Sequence, residues 1–101
     1  MIVVSVMYPP SARFDLDYYM KSHIPMVQAR CGSLGLSGVQ VLKGAAGADG
    51  GAAPYPMIAL LSFASLEAFQ GAMGQHGAEI LGDVPKFTDA QPAIQINTPV
   101  A

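Results

Sequence analysis

The chain has 101 residues, of which 51% are hydrophobic and 12% are charged, and it carries a formal net charge of -2. Its length predicts a single domain, residues 1–101, while its scattered basic residues and interrupted uncharged runs argue against nucleic-acid binding and a membrane-spanning helix. The mean hydropathy of +0.37 is high for so small a protein, so we expect apolar surface to be buried against a partner subunit.

Four segments have the composition of β-strands. Each is apolar over several residues and starts or stops at proline or glycine, as strands commonly do. The predicted strands cover residues 2–8, 36–43, 55–63 and 93–98. Pro92 and Pro99, which flank the last strand, suit an edge position, where a missing hydrogen-bond donor is tolerated.

A helix is predicted after the first strand. Asp15 is its expected N-cap, with Phe14 and Tyr19 placed to form a hydrophobic staple across the first turn. The helix should run to about Arg30 and end at Gly32.

A second helix is predicted after Ser65, because apolar side chains then recur at helical spacing. The stripe consists of Leu66, Phe69, Met73, His76 and Ile80. Three glycines in this segment each weaken it by about 1 kcal/mol relative to alanine, so the helix must depend on packing. Residues 83–89 are expected to form a turn-rich connector.

The glycine-rich segment between the second and third strands, residues 44–53, has no periodicity. It is not followed by the Lys-Ser/Thr pair and helix of a phosphate-binding loop. We expect a mobile connector at the end of the sheet.

The order β-α-β-β-α-β predicts a ferredoxin-like α+β domain, in which two helices cover one face of a four-stranded antiparallel sheet. The first and third strands should be the middle ones, and both are largely apolar on both faces. The uncovered face would exceed the apolar patch that a monomer usually exposes. We therefore expect a homodimer in which two such faces pack together.

Few residues could support metal, thiol or cofactor chemistry. Two distant histidines and one cysteine are too few for a structural zinc site, and nucleotide-binding motifs are missing, so no metal or cofactor is expected. Cys31, at the predicted C-terminus of the first helix, is expected to be a packing residue. A lone cysteine and the lack of a basic region before the first apolar segment favour a cytoplasmic protein without a signal peptide.

The first helix contains the strongest candidate for a functional site, His23. At 100° per residue, one stripe of this helix faces the sheet and another faces away. The inward stripe contains Leu16, Tyr19, Met20, His23 and Val27, and the outward one contains Asp17, Tyr18, Lys21 and Ser22. Pro25 removes a helix hydrogen bond and clashes with the preceding turn, so we expect a kink that opens space beside His23.

Two interpretations of His23 remain open. It could form an acid/base pair with Tyr19 in an apolar pocket, or it could be a core histidine bonded to a backbone carbonyl. In the first case, ligand contacts are expected from Met20, Val27, Phe69 and Met73. His76, at the rim of the second stripe, is expected to be a half-exposed structural residue.

The segment "RFDLDYYMKSHIP" resembles the helix signature of the EthD family, named for ethyl tert-butyl ether degradation. The segment "DVPKFTD" resembles the second motif of that family, and the order of elements between the two is also similar. The matching residues are Phe14, Asp15, Tyr18, Tyr19, His23, Pro25, Asp83, Pro85, Phe87 and Thr88. Ala64 departs from the family pattern, which often has an acidic residue there, and the chain lacks the tryptophan of haem-degrading relatives.

The resemblance implies a dimeric α+β barrel that binds small hydrophobic ligands between helices and sheet. Relatives in the superfamily include cofactor-independent monooxygenases, lactone isomerases and polyketide cyclases, whereas the EthD family itself accompanies ether-degrading oxygenases without an agreed reaction. Two functions remain open. One is a cofactor-free oxidoreductase or isomerase that uses His23 and Tyr19 on a small, oxygenated, hydrophobic metabolite. The other is a non-catalytic protein that binds such a metabolite or assists an oxygenase.

Overall fold

The computed structural model describes the whole chain, residues 1–101, as a four-stranded antiparallel sheet with two helices on one face. The strands are β1 (Ile2–Tyr8), β2 (Leu36–Lys43), β3 (Met57–Phe63) and β4 (Ala93–Asn97). They lie in the order β2-β3-β1-β4, so the first and third strands are the middle ones and the ferredoxin-like α+β fold is confirmed. None of the helices combines the length and hydrophobicity needed to cross a bilayer.

Helix α1 covers residues 16–31 in three consecutive segments. An α-helical turn (Leu16–Tyr18) leads into a π-helical turn (Tyr19–His23), and α-helix resumes over Ile24–Cys31. The wider turn immediately precedes Pro25, which has no N–H to donate and whose ring would clash with a regular preceding turn. The expected kink is thus realised as a π turn, and the helix continues beyond it.

Both helices begin at the predicted caps. The Asp15 carboxylate accepts a hydrogen bond from the backbone N–H of Tyr18 at 3.0 Å. Helix α2 (Leu66–Asp83) starts after Ser65, whose hydroxyl accepts from the backbone N–H of Ala68 at 3.0 Å. Each cap satisfies a donor that the first helical turn would otherwise leave unpaired.

The end of α1 differs slightly from the prediction. The helix is followed by a 3-10 turn (Gly32–Leu34), and the chain reverses at Gly35, which has a φ of 104°. A Cβ at Gly35 would also lie 2.8 Å from the Cβ of Ala68 at the start of α2. The reversal therefore needs glycine both for its backbone conformation and for this close approach.

The buried side chains between helices and sheet form two clusters. The aliphatic cluster, at the Ile2 end of β1, contains Ile2, Val4, Val27, Cys31, Ala59, Leu61, Phe63, Ala72 and Ile80. The aromatic cluster, at the Tyr8 end, contains Tyr8, Tyr19, Ile24, Met57, Val84 and Phe87. Both middle strands contribute to both clusters, which is why they alternate between buried and half-buried residues.

The opposite face of the sheet carries no helix. Its centre is formed by half-buried apolar side chains of β1 and β3, among them Met7 and Leu60. Toward β4 the face becomes polar, where Asn97 donates a 2.8 Å hydrogen bond to the hydroxyl of Ser5. We call this surface the bare face.

The glycine-rich connector lies at the end of the sheet between β2 and β3. It is closed by backbone hydrogen bonds from Gly44 to Pro56 and from Gly47 to Gly51, at 2.7 and 2.8 Å. Its mobility stays a prediction.

Candidate active site

His23 is the last residue of the π turn and is only 4% exposed. Its ring atom Nδ1 lies 2.8 Å from Oδ2 of Asp83, the last residue of α2. Because a carboxylate can only accept, Nδ1 carries the hydrogen, and in the neutral ring Nε2 is then the basic nitrogen. The contact therefore sets both the orientation and the tautomer of the imidazole.

Nε2 of His23 has no hydrogen-bond partner in the protein. No side-chain nitrogen or oxygen is both fully buried and unpaired, so this atom is reached from open space. That space is a cavity of about 60 Å³ between the helices and the sheet, which His23 lines and which we call the inner cavity. A core histidine would have both ring nitrogens hydrogen-bonded within the protein, whereas Nε2 of this one has no protein partner.

The inner cavity is almost entirely apolar, since 15 of its 17 lining residues are hydrophobic. Both helices and strands β1, β3 and β4 contribute to it. Of the residues proposed from the sequence, it is lined by Tyr19, His23, Val27, Phe69 and Met73. The fold thus brings side chains of both predicted helical stripes to one space.

Met20 is the exception, because it does not line the inner cavity and is 44% exposed. The predicted stripe assumed the same rotation at every residue. The π turn over Tyr19–His23 advances less per residue than an α turn and rotates the following residues back toward Tyr19. The buried side of α1 is consequently centred on Tyr19, His23 and Val27, which leaves Met20 at its outer edge.

Asp83 is a residue of the site that the sequence interpretation did not select as functional. Its carboxylate, in a residue 8% exposed, bonds His23 through Oδ2 and accepts from the hydroxyl of Tyr18 through Oδ1 at 2.7 Å. Burial alone would raise the pKa of Asp83, but the hydrogen bonds from His23 and Tyr18, with the nearby Lys86 ammonium, hold it below its usual value. Asp83 is therefore ionised at neutral pH and can stabilise a protonated His23.

A signal for Asp83 was present in the sequence. It follows Ile80 by three residues, which places it beside the buried stripe of α2, where a carboxylate is uncommon unless it is paired. Tyr18, which was predicted to face away from the sheet, does not line the inner cavity. Its side chain reaches sideways instead, stacking on Phe87 with ring centroids 6.4 Å apart and bonding Asp83.

Two buried tyrosines accompany His23. The ring of Tyr19 stacks on that of His23 with centroids 5.5 Å apart, and the ring of Tyr8 lies edge-on to Tyr19 at 5.8 Å. Burial raises the pKa of Tyr19 to about 12, and burial together with the neighbouring Tyr19 raises the pKa of Tyr8 further. At neutral pH both hydroxyls are protonated, so they can donate hydrogen bonds but cannot act as bases.

The connector after α2 is tied to the start of α1. The hydroxyl of Thr88 donates to the backbone carbonyl of Arg13 at 2.8 Å, and the Arg13 guanidinium donates to two carbonyls of the 3-10 turn (Val84–Lys86). These bonds fix Phe87, whose ring centroid lies 4.7 Å from that of His23. The two sequence motifs are thus hydrogen-bonded to each other, and the second motif places Phe87 against the ring of His23.

Other titratable residues are not part of this arrangement. Cys31 is fully buried in the aliphatic cluster, and burial raises the pKa of its thiol, so it is a neutral packing residue. His76 is half-buried and lies outside the inner cavity. No group of three or more His, Cys, Asp or Glu side chains lies close enough together to hold a metal ion.

No family model matches the chain, and no curated protein does either. Among solved structures, an EthD-like protein from Ralstonia eutropha JMP134 is 44% identical, with a TM-score of 0.90 over 99% of this chain and 92% of that one. An ethyl tert-butyl ether D (EthD) family protein from Bacillus halodurans C-125 is 19% identical, with a TM-score of 0.78 over 99% of both chains. SnoaB, a cofactor-independent oxygenase from Streptomyces nogalater, is 14% identical, with a TM-score of 0.65 over 99% of this chain and 92% of that one. The last two similarities show the fold alone.

Proposed function

The chain belongs to the EthD family, and from this premise and the geometry around His23 we propose that it binds a small, hydrophobic, oxygenated metabolite and removes a proton from it. His23 is the proposed general base, acting through Nε2. One observation carries the proposal: a buried histidine has one ring nitrogen bonded to a carboxylate and the other open to an apolar cavity. Such an arrangement orients a base toward a ligand and away from water.

Three residues have distinct roles in the proposed proton transfer. Asp83 holds the ring and stabilises the imidazolium that forms when Nε2 accepts the proton. The proton comes from a C–H or O–H group next to a substrate oxygen, on which negative charge then develops. The protonated hydroxyl of Tyr19, which also lines the inner cavity, is the proposed hydrogen-bond donor to that oxygen. The apolar walls strengthen both interactions by excluding water.

Two reaction classes share this first step. An isomerase returns the proton from His23 to another carbon of the same molecule, with no net change of oxidation state. An oxidoreductase passes electrons from the deprotonated substrate to O₂, which is the co-reactant. SnoaB has the same fold and is a cofactor-independent oxygenase, so the fold is compatible with the second class. Neither class requires a metal or an organic cofactor.

A second candidate is binding without turnover, either as a carrier or as an accessory protein of an oxygenase. The composition of the inner cavity favours it, because 15 of 17 lining residues are hydrophobic. A carrier needs only apolar walls and a few polar anchors, which Tyr19 and His23 would provide.

The two candidates can be separated with a panel of quinols, lactones and ether-derived alcohols. Product formation by the wild-type protein, lost in His23→Asn, supports the general base. A rise in melting temperature without product supports the carrier. Equal product formation by wild type and His23→Asn would contradict the role of His23.

The proposal includes a homodimer formed through the bare face and a cytoplasmic location. The apolar centre of that face, around Met7 and Leu60, supports the dimer, because a monomer rarely leaves such a surface in water. The single, buried Cys31 is compatible with a reducing compartment. Sedimentation of the full chain at micromolar concentration tests the dimer, and a stable monomer would contradict it.

A further inference from the structure

A second cavity adjoins the inner cavity at the C-terminal end of α2. It has a volume of about 490 Å³ and nine lining residues, only four of them hydrophobic. Both cavities are lined by Leu81, Val84, Pro92 and Ile94. The second space is an open hollow at the surface, since Leu81 and Ile94 in its lining are exposed, and we call it the outer chamber. The four shared residues border both spaces, and we call them the mouth.

The outer chamber differs from the inner cavity in polarity. Its polar lining residues are Thr88, Asp89 and Gln91. Asp89 is the only charged side chain among the lining residues, and its carboxylate lies 3.2 Å from the guanidinium of Arg13. Arg13 also donates to two backbone carbonyls, so it is not free to bind an anion. The chamber therefore offers hydrogen-bond acceptors but no unpaired cation.

The wall of the outer chamber is preformed. The Thr88 side chain is buried, and its hydroxyl donates to the Arg13 carbonyl at 2.8 Å while accepting from the backbone N–H of Ala90 at 3.1 Å. These bonds fix the segment that carries Asp89 and Gln91. A wall that is already ordered costs little conformational entropy when a ligand binds.

The sizes of the two spaces constrain the ligand. The inner cavity, at about 60 Å³, is far below the roughly 300–1,000 Å³ of sites that enclose a whole drug-sized ligand. A ligand with a small apolar end at Nε2 of His23 and any further length would not fit within the inner cavity, and the mouth residues border a larger space beside it. The outer end of the ligand would then lie beside Asp89.

We propose that the ligand is an elongated, amphiphilic molecule with an apolar end in the inner cavity and a neutral hydrogen-bond donor, such as a hydroxyl, in the outer chamber. Asp89 accepts the hydrogen bond from that donor. A carboxylate at the same end is disfavoured, because it would lie beside the Asp89 carboxylate while the Arg13 guanidinium already bonds Asp89 and two backbone carbonyls. This inference rests on the proposed function for where the ligand binds, but it does not depend on turnover.

Three probes of matched shape test the inference by calorimetric titration of the full chain: butylbenzene, 4-phenyl-1-butanol and 4-phenylbutyrate. We expect 4-phenyl-1-butanol to bind about tenfold more tightly than 4-phenylbutyrate, a difference of about 1.4 kcal/mol. In Asp89→Asn this preference should fall to about threefold or less, because the carboxylate probe gains affinity. Butylbenzene, which has no donor, should be unaffected by the substitution.

A pair of leucine substitutions tests the route. Leu81→Trp narrows the mouth at a side chain that is 51% exposed, so the core is not disturbed, and should weaken 4-phenyl-1-butanol at least fivefold, or about 1 kcal/mol. Leu66→Trp is the matched control, because Leu66 is also exposed but lines neither cavity. It should leave the affinity unchanged.

The outcomes distinguish this inference from the proposed function. Equal affinity for the alcohol and the carboxylate, an unchanged preference in Asp89→Asn, equal binding by the two tryptophan variants, or no binding of any probe at millimolar concentration would each overturn it. Expected binding without product from the substrate panel would leave the outer chamber standing and remove the catalytic role. Product formation with no effect of Asp89→Asn on probe binding would support the catalytic role and contradict the outer chamber as a ligand site.

Discussion

The aliphatic and aromatic clusters lie on the same two middle strands but differ in their chemistry. In the aliphatic cluster only Cys31 can titrate, and burial keeps its thiol neutral. The aromatic cluster surrounds His23 and Asp83, a buried polar pair. Members of both clusters line the inner cavity, so it lies where they meet. One end of the sheet thus contributes only apolar side chains to this space, and the other end adds the polar groups.

Among substitutions that test this difference, Phe63→Ala in the aliphatic cluster should have the largest effect on stability. Phe63 is fully buried, so the substitution should lower the free energy of unfolding by about 3–5 kcal/mol, through lost apolar contact and the space left behind. Urea unfolding followed by circular dichroism measures it. A loss below about 1 kcal/mol would mean that the two ends do not differ as described.

The second prediction concerns His23→Asn. An asparagine amide can still donate to Asp83 but has no counterpart of Nε2, so turnover of any substrate found should fall by about 10²-fold or more with little change in melting temperature. Steady-state kinetics and thermal unfolding of the same samples measure the two effects. Early unfolding with unchanged ligand affinity per folded molecule would instead make His23 a core residue.

The third prediction uses the acid side of the pH range. The pKa of Asp83 lies below its ordinary value of 3.8, so its ionised form stabilises the fold above that pH, and this contribution is lost as pH falls through the folded-state pKa. Asp83→Asn should cost about 1.5–3 kcal/mol at pH 7, the range for hydrogen bonds to charged groups. The difference in free energy of unfolding between wild type and Asp83→Asn should become smaller toward pH 3. Parallel stability curves from pH 7 to pH 3 would contradict the assignment.

The smallest effect is expected on the alkaline side. The pKa of Tyr19 is raised from 10.0 to about 12, so the unfolded chain ionises first and stability is lost as pH rises above 10. By pH 11, one pH unit above the unfolded-state pKa, this loss of stability amounts to about 1.4 kcal/mol. Between pH 8 and pH 11, the free energy of unfolding of Tyr19→Phe should fall less than that of wild type. Any fall that remains in this variant should come from Tyr8. Equal losses of stability in the two proteins would mean that the pKa of Tyr19 is not raised by folding.

Much of the fold was predictable because it depends on neighbouring residues. Asp15 and Ser65 cap their helices by reaching three residues along the chain, and alternation along β1 and β3 follows from a period of two. The catalytic roles of His23 and Tyr19 and the ligand contacts of Val27, Phe69 and Met73 stay predictions. Met20 does not line the inner cavity, because a uniform helical rotation cannot anticipate a π turn, and its ligand contact also stays a prediction.

By itself, the sequence determined the elements, their order, the inward side of α1 that carries His23, and the apolar character of both sheet faces. Each of these follows from local spacing, proline placement and side-chain burial, which act over a few residues. Only the tertiary structure decided the partner of His23, because Asp83 lies 60 residues away and meets it where the C-terminal end of α2 packs against the π turn in the middle of α1. The same packing of helices and sheet formed the inner cavity. Spaces between elements are set by how whole helices and strands pack, and no local pattern encodes them.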